Sequence, residues 1–328
     1  MALLLSDSDV RSMLRIKEVL KVVEDAFREK GLGKVQMPPK TYLFFKDQNG
    51  DLRIMPAFLP DRGAAGVKIV NSHPGNQRYG LPSVLGTVLL IDPKNGLPTA
   101  IIGANSLTSI RTGAAGGLAA RYLARRNSRI VGMLGAGVQA RTQLEAVLEV
   151  LPGIERVKVY DVNKENAARF VKEFPAGRGR GMTSVESPEL AVRSSDLVIT
   201  TTPSRSPIVE RGWVEPGTHI NAIGADAPGK QELDIQILLD GKVVPDDWEQ
   251  AAHGGEMNVA VSQGRFSRSM IHGELGEVVC GKVKGRESRD EITIFDSTGL
   301  AIQDVAVAAH LCDRALKSNK GTKIDIWS

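Results

Sequence analysis

Cysteine is scarce in this 328-residue chain: Cys280 and Cys312 are the only two, at no metal-like spacing. That excludes a disulfide framework and a thiolate metal site and suits a reducing compartment, with both thiols expected to be buried. Histidine is thin as well. His73 falls in a turn, and His219, His253, His272 and His310 show no pairing with one another or with carboxylates at ligand spacing, so no metal is expected. No apolar run approaches the ~20 residues of a membrane span, and the short "LLL" near the start has no basic leader. An excess of one charge is missing too. Lys and Arg total 42 against 38 Asp and Glu, a net charge of +4 spread without a dense block, so neither nucleic acid nor a membrane is an expected partner. A soluble cytoplasmic protein is the expectation. No repeat stands out, and "AGRGRG" around Gly177 reads as a loop tip.

With 42% apolar residues the chain has material for more than one core, and two domains are expected. From Ser8 to Phe27 apolar residues return with helical period, through Val10, Met13, Leu14, Ile16, Val19, Leu20 and Val23, which predicts one amphipathic helix. Between Tyr42 and Ile102 short β-rich runs such as "TYLFF", "LRIMPAFL", "GVKIV" and "VLGTVLLID", with "DQNGD" as a hairpin turn, predict a mostly antiparallel sheet. "SLTSIRTGAAGGLAARYLARR" reads as an alanine-rich helix capped near Thr108 or Ser109. Beyond it strand-like and helix-like runs alternate, which predicts an α/β unit with a parallel, doubly wound sheet. A last helix from Ala301 to Lys317 is apolar on one face.

The strongest single signal is "RIVGMLGAGVQART", Arg129 to Thr142, a Gly-x-Gly-x-x-Ala turn between a strand and a helix. Gly135 permits the tight turn, Gly137 lets backbone approach a pyrophosphate, and Ala140 keeps helix close to strand. A second strand ends in Asp161, 24 residues beyond Gly137, near the spacing expected of the acid that binds ribose hydroxyls. That acid favours NAD over NADP, although Lys164 leaves a phosphorylated cofactor open. Two later strands end in "VITTTPSRSPIV" and "INAIGADAPGKQEL", on the carboxyl side where ligands bind in open α/β sheets. Thr201 and Thr202 are candidates to line a nicotinamide pocket. Asp226 is a candidate to face the cleft, or simply to cap its own turn.

The antiparallel part carries Lys40, Arg53 and Lys68 inside otherwise apolar strand patterns. Any one of them alone suits a solvent-facing position; three in one small sheet point to an anionic substrate. Arg grips a carboxylate with paired hydrogen bonds, and a desolvated Lys near another cation exchanges protons near neutrality. His73 is a second acid/base candidate or a structural turn residue.

The strings "RIMPA", "GVKIVNSHPGN", "SIRTGAAGGLAARYLAR", "LGAGVQA", "TTTPSRSPIV", "THINAIGADAPGKQEL", "GGEMNVAVSQG" and "FDSTGLAIQDVAVA" resemble the ornithine cyclodeaminase and mu-crystallin family, most of all its archaeal-type alanine dehydrogenase branch. The resemblance runs almost end to end. It implies a Rossmann NAD-binding domain over 111–299 and a discontinuous α+β substrate and dimerisation domain made of 1–110 with 300–328. It also implies that Arg53 and Lys68, with Lys40 and Thr298 beside them, bind the amino-acid or 2-oxo-acid substrate, and that Lys68 and Asp226 are catalytic. Arg111, at a helix start, would contact NAD together with Thr112, Val138, Gln139, Asp161, Thr202, Gly224, Lys230 and Ser297. The activity implied is reversible oxidative deamination of L-alanine by a homodimer. Rival readings are ornithine cyclodeaminase, an imine reductase, or a non-enzymatic NAD(P)H-binding protein of mu-crystallin type.

Overall fold

The computed structural model describes residues 1–174 and 180–325; the segment around Gly177 lies outside them. The chain divides into two compact units, Met1–Arg111 with Leu300–Ser328 and Thr112–Gly299.

The first unit is built on a seven-stranded sheet. Its strands are β1 (Ala2–Leu5), β2 (Thr41–Phe45), β3 (Gly50–Leu59), β4 (Ala64–Ser72), β5 (Val84–Ile91) and β6 (Pro98–Gly103), with a last strand, Thr322–Ile324, from the far end of the chain. From β2 to β6 each strand pairs antiparallel with its sequence neighbour, as the run of hairpins predicts; β1 then adds parallel to β6, and Thr322–Ile324 closes the edge beside β1. The helix Ala301–Lys317 lies where its apolar stripe predicts and packs on β3, β4 and β5.

Side chains alternate across this sheet, so register separates its two faces. One row, Met55, Lys68, Val88, Ile102 and Leu5, runs across five strands on the buried face, and Lys68 is the only charge in it. The neighbouring row, Pro56, Val67, Leu89, Ile101 and Leu4, lies on the opposite face. That opposite face is apolar and partly open, with Leu4, Leu43, Ile69 and Leu85 exposed.

Two helix boundaries in this unit differ from the sequence expectation. The single opening helix is two, Asp7–Met13 and Ile16–Gly31. Leu14 and Arg15 are extended, and the Arg15 guanidinium takes the carbonyls of Ser12 and Leu14 that a continuing helix would have used. The alanine-rich helix spans Asn105–Leu123, beginning before Thr108. Asp7 makes this possible: its carboxylate accepts from the Ser106 amide at 2.7 Å and the Ser106 hydroxyl at 2.7 Å, satisfying the first turn from a distant segment.

The second unit holds an all-parallel sheet of seven strands: β7 (Ile130–Leu134), β8 (Arg156–Tyr160), β9 (Gly181–Ser184), β10 (Leu197–Thr200), β11 (His219–Ala222), β12 (Lys242–Pro245) and β13 (Thr293–Asp296). The chain's final strand, Thr322–Ile324, is β14. The order β12-β13-β11-β10-β7-β8-β9 reverses direction between β7 and β10, where a doubly wound sheet opens a crevice at its carboxyl edge. β7, β10, β11 and β13 are buried almost throughout, as sheet covered on both faces requires. Among the described residues no helix is long and apolar enough to cross a membrane, and no His, Cys, Asp and Glu cluster could hold a metal ion.

Candidate functional site

In the first unit the structure gathers a buried cation cluster. Lys68 is 1% exposed, and its Nζ lies 3.1 Å from Oδ1 of Asp304, which is itself fully buried. Arg111 Nε donates to the same Oδ1 at 2.9 Å, and its Nη1 donates to Oε1 of Gln303 at 2.8 Å. Burial is the largest influence on the Lys68 amine. The charges of Arg111 and Lys40 reinforce it, Asp304 opposes it, and the result is a pKa lowered from the ordinary lysine range to about 7. Arg53 lies on β3 on the same face, anchored by a two-pronged pair with Asp51 at 3.1 Å for both bonds and placed over the Tyr42 ring at 5.8 Å.

Arg111 departs from its expected place. It sits in the second turn of Asn105–Leu123 instead of at a helix start, with its guanidinium committed to the Lys68 cluster. Asp304 and Gln303 were not singled out from sequence. The available signal was an acid and an amide side by side in an otherwise apolar helix face, "AIQDVAVAA". Oδ2 of Asp304 and Nε2 of Gln303 are buried and have no hydrogen-bond partner among the described residues.

In the second unit the turn after β7 has the shape a dinucleotide requires. Gly135 has φ +97°, and a Cβ there would meet Thr201 Oγ1 at 2.7 Å, so only glycine fits. Among the described residues, Gly137, the N-cap of the helix Val138–Val150, has no side-chain cap, and a Cβ there would meet nothing within 4 Å. The first-turn amides, with Val138 exposed and Gln139 Oε1 unpartnered among the described residues, are therefore a site for an anion. Asp161 ties the turn down, accepting from the Ala136 amide at 2.9 Å and the Asn163 amide at 2.9 Å. A carboxylate has about four acceptor positions, so these two bonds leave room for ribose hydroxyls. Lys164, the residue that leaves NADP open, pairs with Glu186. Thr112 stands at the start of this unit, its carbonyl accepting from Gln143.

The remaining residues stand at strand ends on a scaffold of buried acids. Glu232 accepts from the hydroxyls of Thr200 and Thr202 at 2.7 Å each, the Thr202 amide at 2.6 Å and the Gly224 amide at 2.8 Å. Glu256 accepts from the amides of Glu232 and Leu233, and Asp296 from those of Glu256 and Met257. Asp246 accepts from the Thr298 amide and hydroxyl and from the Gly299 amide. Each carboxylate thus fixes the backbone that carries the next functional segment. Burial raises the pKa of Glu232; burial and the Glu232 charge hold Glu256 well above the usual carboxylate range; burial lifts Asp296 to about 7. Thr201 donates to the Leu134 carbonyl, and Ser297 Oγ is buried with no partner among the described residues. Asp226 is paired with Lys230 at 2.5 Å.

Histidine and cysteine do little here. His219 is a buried core residue bonded to Thr293 and Asn221, its pKa pushed down to about 3 by burial, and His73 stacks on Phe45. The two cysteines are free and only half-buried, a correction to the expectation of buried thiols; burial lifts the Cys312 thiol to about 12, which leaves it unreactive.

Comparison with known proteins agrees with this architecture. The chain is 53% identical over 325 residues to an alanine dehydrogenase of Archaeoglobus fulgidus, covering 99% of this chain and 98% of that one. An archaeal alanine dehydrogenase dimer solved with bound NAD superposes with a TM-score of 0.95 at 53% identity, covering 99% of both chains. The Thermococcus litoralis Δ1-pyrroline-2-carboxylate reductase, solved with NADH and L-proline, gives a TM-score of 0.94 at 42% identity, over 98% of this chain and all of that one. The model of the ornithine cyclodeaminase/mu-crystallin family matches residues 1–319. A match of that length, joined to a doubly wound sheet where the motifs anticipate one, makes the chain a member of the ornithine cyclodeaminase/mu-crystallin family.

Proposed function

We propose that the protein catalyses the reversible oxidative deamination of L-alanine to pyruvate and ammonium with NAD as the oxidant. The observation that carries this reading is the end-to-end 53% identity with the Archaeoglobus fulgidus alanine dehydrogenase. NAD, when bound, accepts the hydride leaving the substrate α-carbon. Gly135, Gly137, Val138 and Gln139 would hold its pyrophosphate and Asp161 its ribose. Arg111, Thr112, Thr201, Thr202, Gly224, Lys230 and Ser297 are the further contacts that the family resemblance gives.

The chemistry left to the chain is positioning and proton transfer. Arg53, oriented by Asp51, binds the substrate carboxylate, and Lys40 and Thr298 are the further substrate contacts that the family resemblance gives. The substrate amino group sheds one proton before hydride loss, and water sheds another as its oxygen bonds to the iminium carbon. A Lys68 amine with a pKa of about 7 can take the first and release it to solvent, take the second and return it to nitrogen, and take the hydroxyl proton as the C–N bond breaks, so that ammonia leaves and that last proton makes it ammonium. Asp226 is assigned to stabilise the iminium charge.

A homodimer is part of the proposal: the open apolar face with Leu4, Leu43, Ile69 and Leu85 is the surface a second copy would cover. A cytoplasmic location suits the two free thiols. The 42% identity with the pyrroline carboxylate reductase supports a second reading, reduction of a cyclic imine acid. Absorbance of reduced nicotinamide, with mass spectrometry of products, decides between them. NAD with L-alanine should accumulate reduced cofactor and pyruvate. Reduced cofactor consumed only by the cyclic imine would establish the second reading, and proline formed from L-ornithine without net reduced cofactor would establish a cyclodeaminase.

A further inference from the structure

We propose that Asp304 is a positioning residue for the Lys68 amine, holding it beside Arg111 and governing its protonation by sharing one carboxylate oxygen between the two. The inference rests on the reading above in taking Lys68 as the proton-transferring group.

Among the described residues, three segments bring charge to this lysine: Asp304 from the helix Ala301–Lys317, Arg111 from the helix Asn105–Leu123, and Lys40 from the segment before β2. Arg53, paired with Asp51, lies on the same face of the sheet on β3. Among the described residues Asp304 is the one acid bonded to the Lys68 amine, and its Oδ1 takes both Nζ of Lys68 at 3.1 Å and Nε of Arg111 at 2.9 Å. A buried ammonium beside a buried guanidinium is stable only with an anion in contact, because desolvation and like-charge repulsion both act against it. Asp304, from the helix packed on this sheet, supplies that anion, which the apolar side chains in the row around Lys68 could not. Its Oδ2 remains buried without a partner among the described residues, an acceptor held in reserve next to a group that must gain and lose protons.

Asp304→Asn keeps the side-chain shape and the Oδ1 acceptor while removing the charge. In the full-length protein, the Lys68 13Cε resonance, assigned by its loss in Lys68→Arg, should titrate at least one pH unit lower in the variant. The acid limb of kcat/KM for alanine oxidation should move the same way, kcat should fall roughly 10- to 100-fold, and NAD affinity should hold. An unchanged Lys68 midpoint in Asp304→Asn overturns the proposal. Asp304→Glu provides the second arm if the amide variant does not fold: the charge returns one methylene out of place, so kcat should stay about 10-fold low with an ordinary NAD affinity, and a wild-type kcat there overturns it too. The resonance reads the lysine directly. Should L-alanine prove not to be a substrate, the assigned reaction fails while the Asp304 coupling is still decided.

Discussion

Each unit of this protein buries charge, and the two do so in opposite ways. In the first, Lys68 and Arg111 are matched by the side chain of a single acid, Asp304. In the second, Glu232, Glu256 and Asp296 are matched by backbone amides and threonine hydroxyls. An ion pair between side chains leaves the proton mobile, because either partner can change state without breaking the fold. A carboxylate knotted into the main chain fixes loops instead: its loss frees several amides at once, each costing about 1–3 kcal/mol if left buried and unpaired. The first arrangement suits proton transfer and the second suits holding strand ends in register.

The largest test of this contrast is Lys68→Ala. It should lower turnover with L-alanine by roughly 100- to 10,000-fold while NAD binding, read by reduced-nicotinamide fluorescence, stays near normal. Turnover within a few-fold of wild type would take Lys68 out of the reaction. Arg53→Ala should raise the Michaelis constant for the amino acid by about 10- to 100-fold, the loss of a charged two-pronged contact, with a smaller change in kcat. A fall in kcat with the Michaelis constant unchanged would point to a role in the transition state alone. In the second unit Asp161→Ala should erode the preference for NAD over NADP by about 10-fold, and should also lower the melting temperature, because the Ala136 and Asn163 amides lose their acceptor. A variant with unchanged cofactor preference would leave Asp161 as a turn anchor only.

The smallest effect is the sharpest comparison, because the two regions should respond to pH with opposite sign. Asp296 titrates at about 7 in the folded chain against an ordinary 3.8, so the folded state holds its proton more tightly. The stability it contributes is full below about 4 and is lost as pH rises through about 7. Lys68 titrates at about 7 against an ordinary 10.5. The unfolded chain binds the proton more tightly there, so stability is recovered as pH rises from about 7 to about 10.5. Denaturant unfolding across pH should therefore show a flatter acid-side slope in Asp296→Asn and a flatter alkaline-side slope in Lys68→Met. If both variants kept the wild-type slopes, neither group would be titrating where its burial places it.

Much of this was readable from residue order because it is local. Strand alternation from Tyr42 to Ile102, the glycine turn at Gly135 and Gly137, and the apolar stripe of Ala301–Lys317 are each written within a few residues, and the structure has them there. What was not readable depends on partners far along the chain. The start of Asn105–Leu123 is set by Asp7, the break at Leu14 by where one arginine points, and the place of Arg111 by Asp304. The short strands β9, β12 and β13 carry too few residues for a period to register. Asp304 and Glu232 escaped for a related reason. An acid in a helix or a turn looks solvent-facing until the segment that covers it is known.

Lys68 and its acid are separated by 236 residues, with the whole parallel-sheet unit between them. During synthesis the β4 lysine therefore emerges long before the helix that satisfies it, and the nascent first sheet must wait, its lysine row uncovered, until residue 304 has left the ribosome. The intervening unit has its own sheet and needs no such delay. A chain with residues up to Gly299 clear of the ribosome and the rest still inside it would thus carry a complete parallel sheet tethered to an unfinished one, and the longer window of exposure to chaperones or proteases belongs to the first unit, though its sheet was made first.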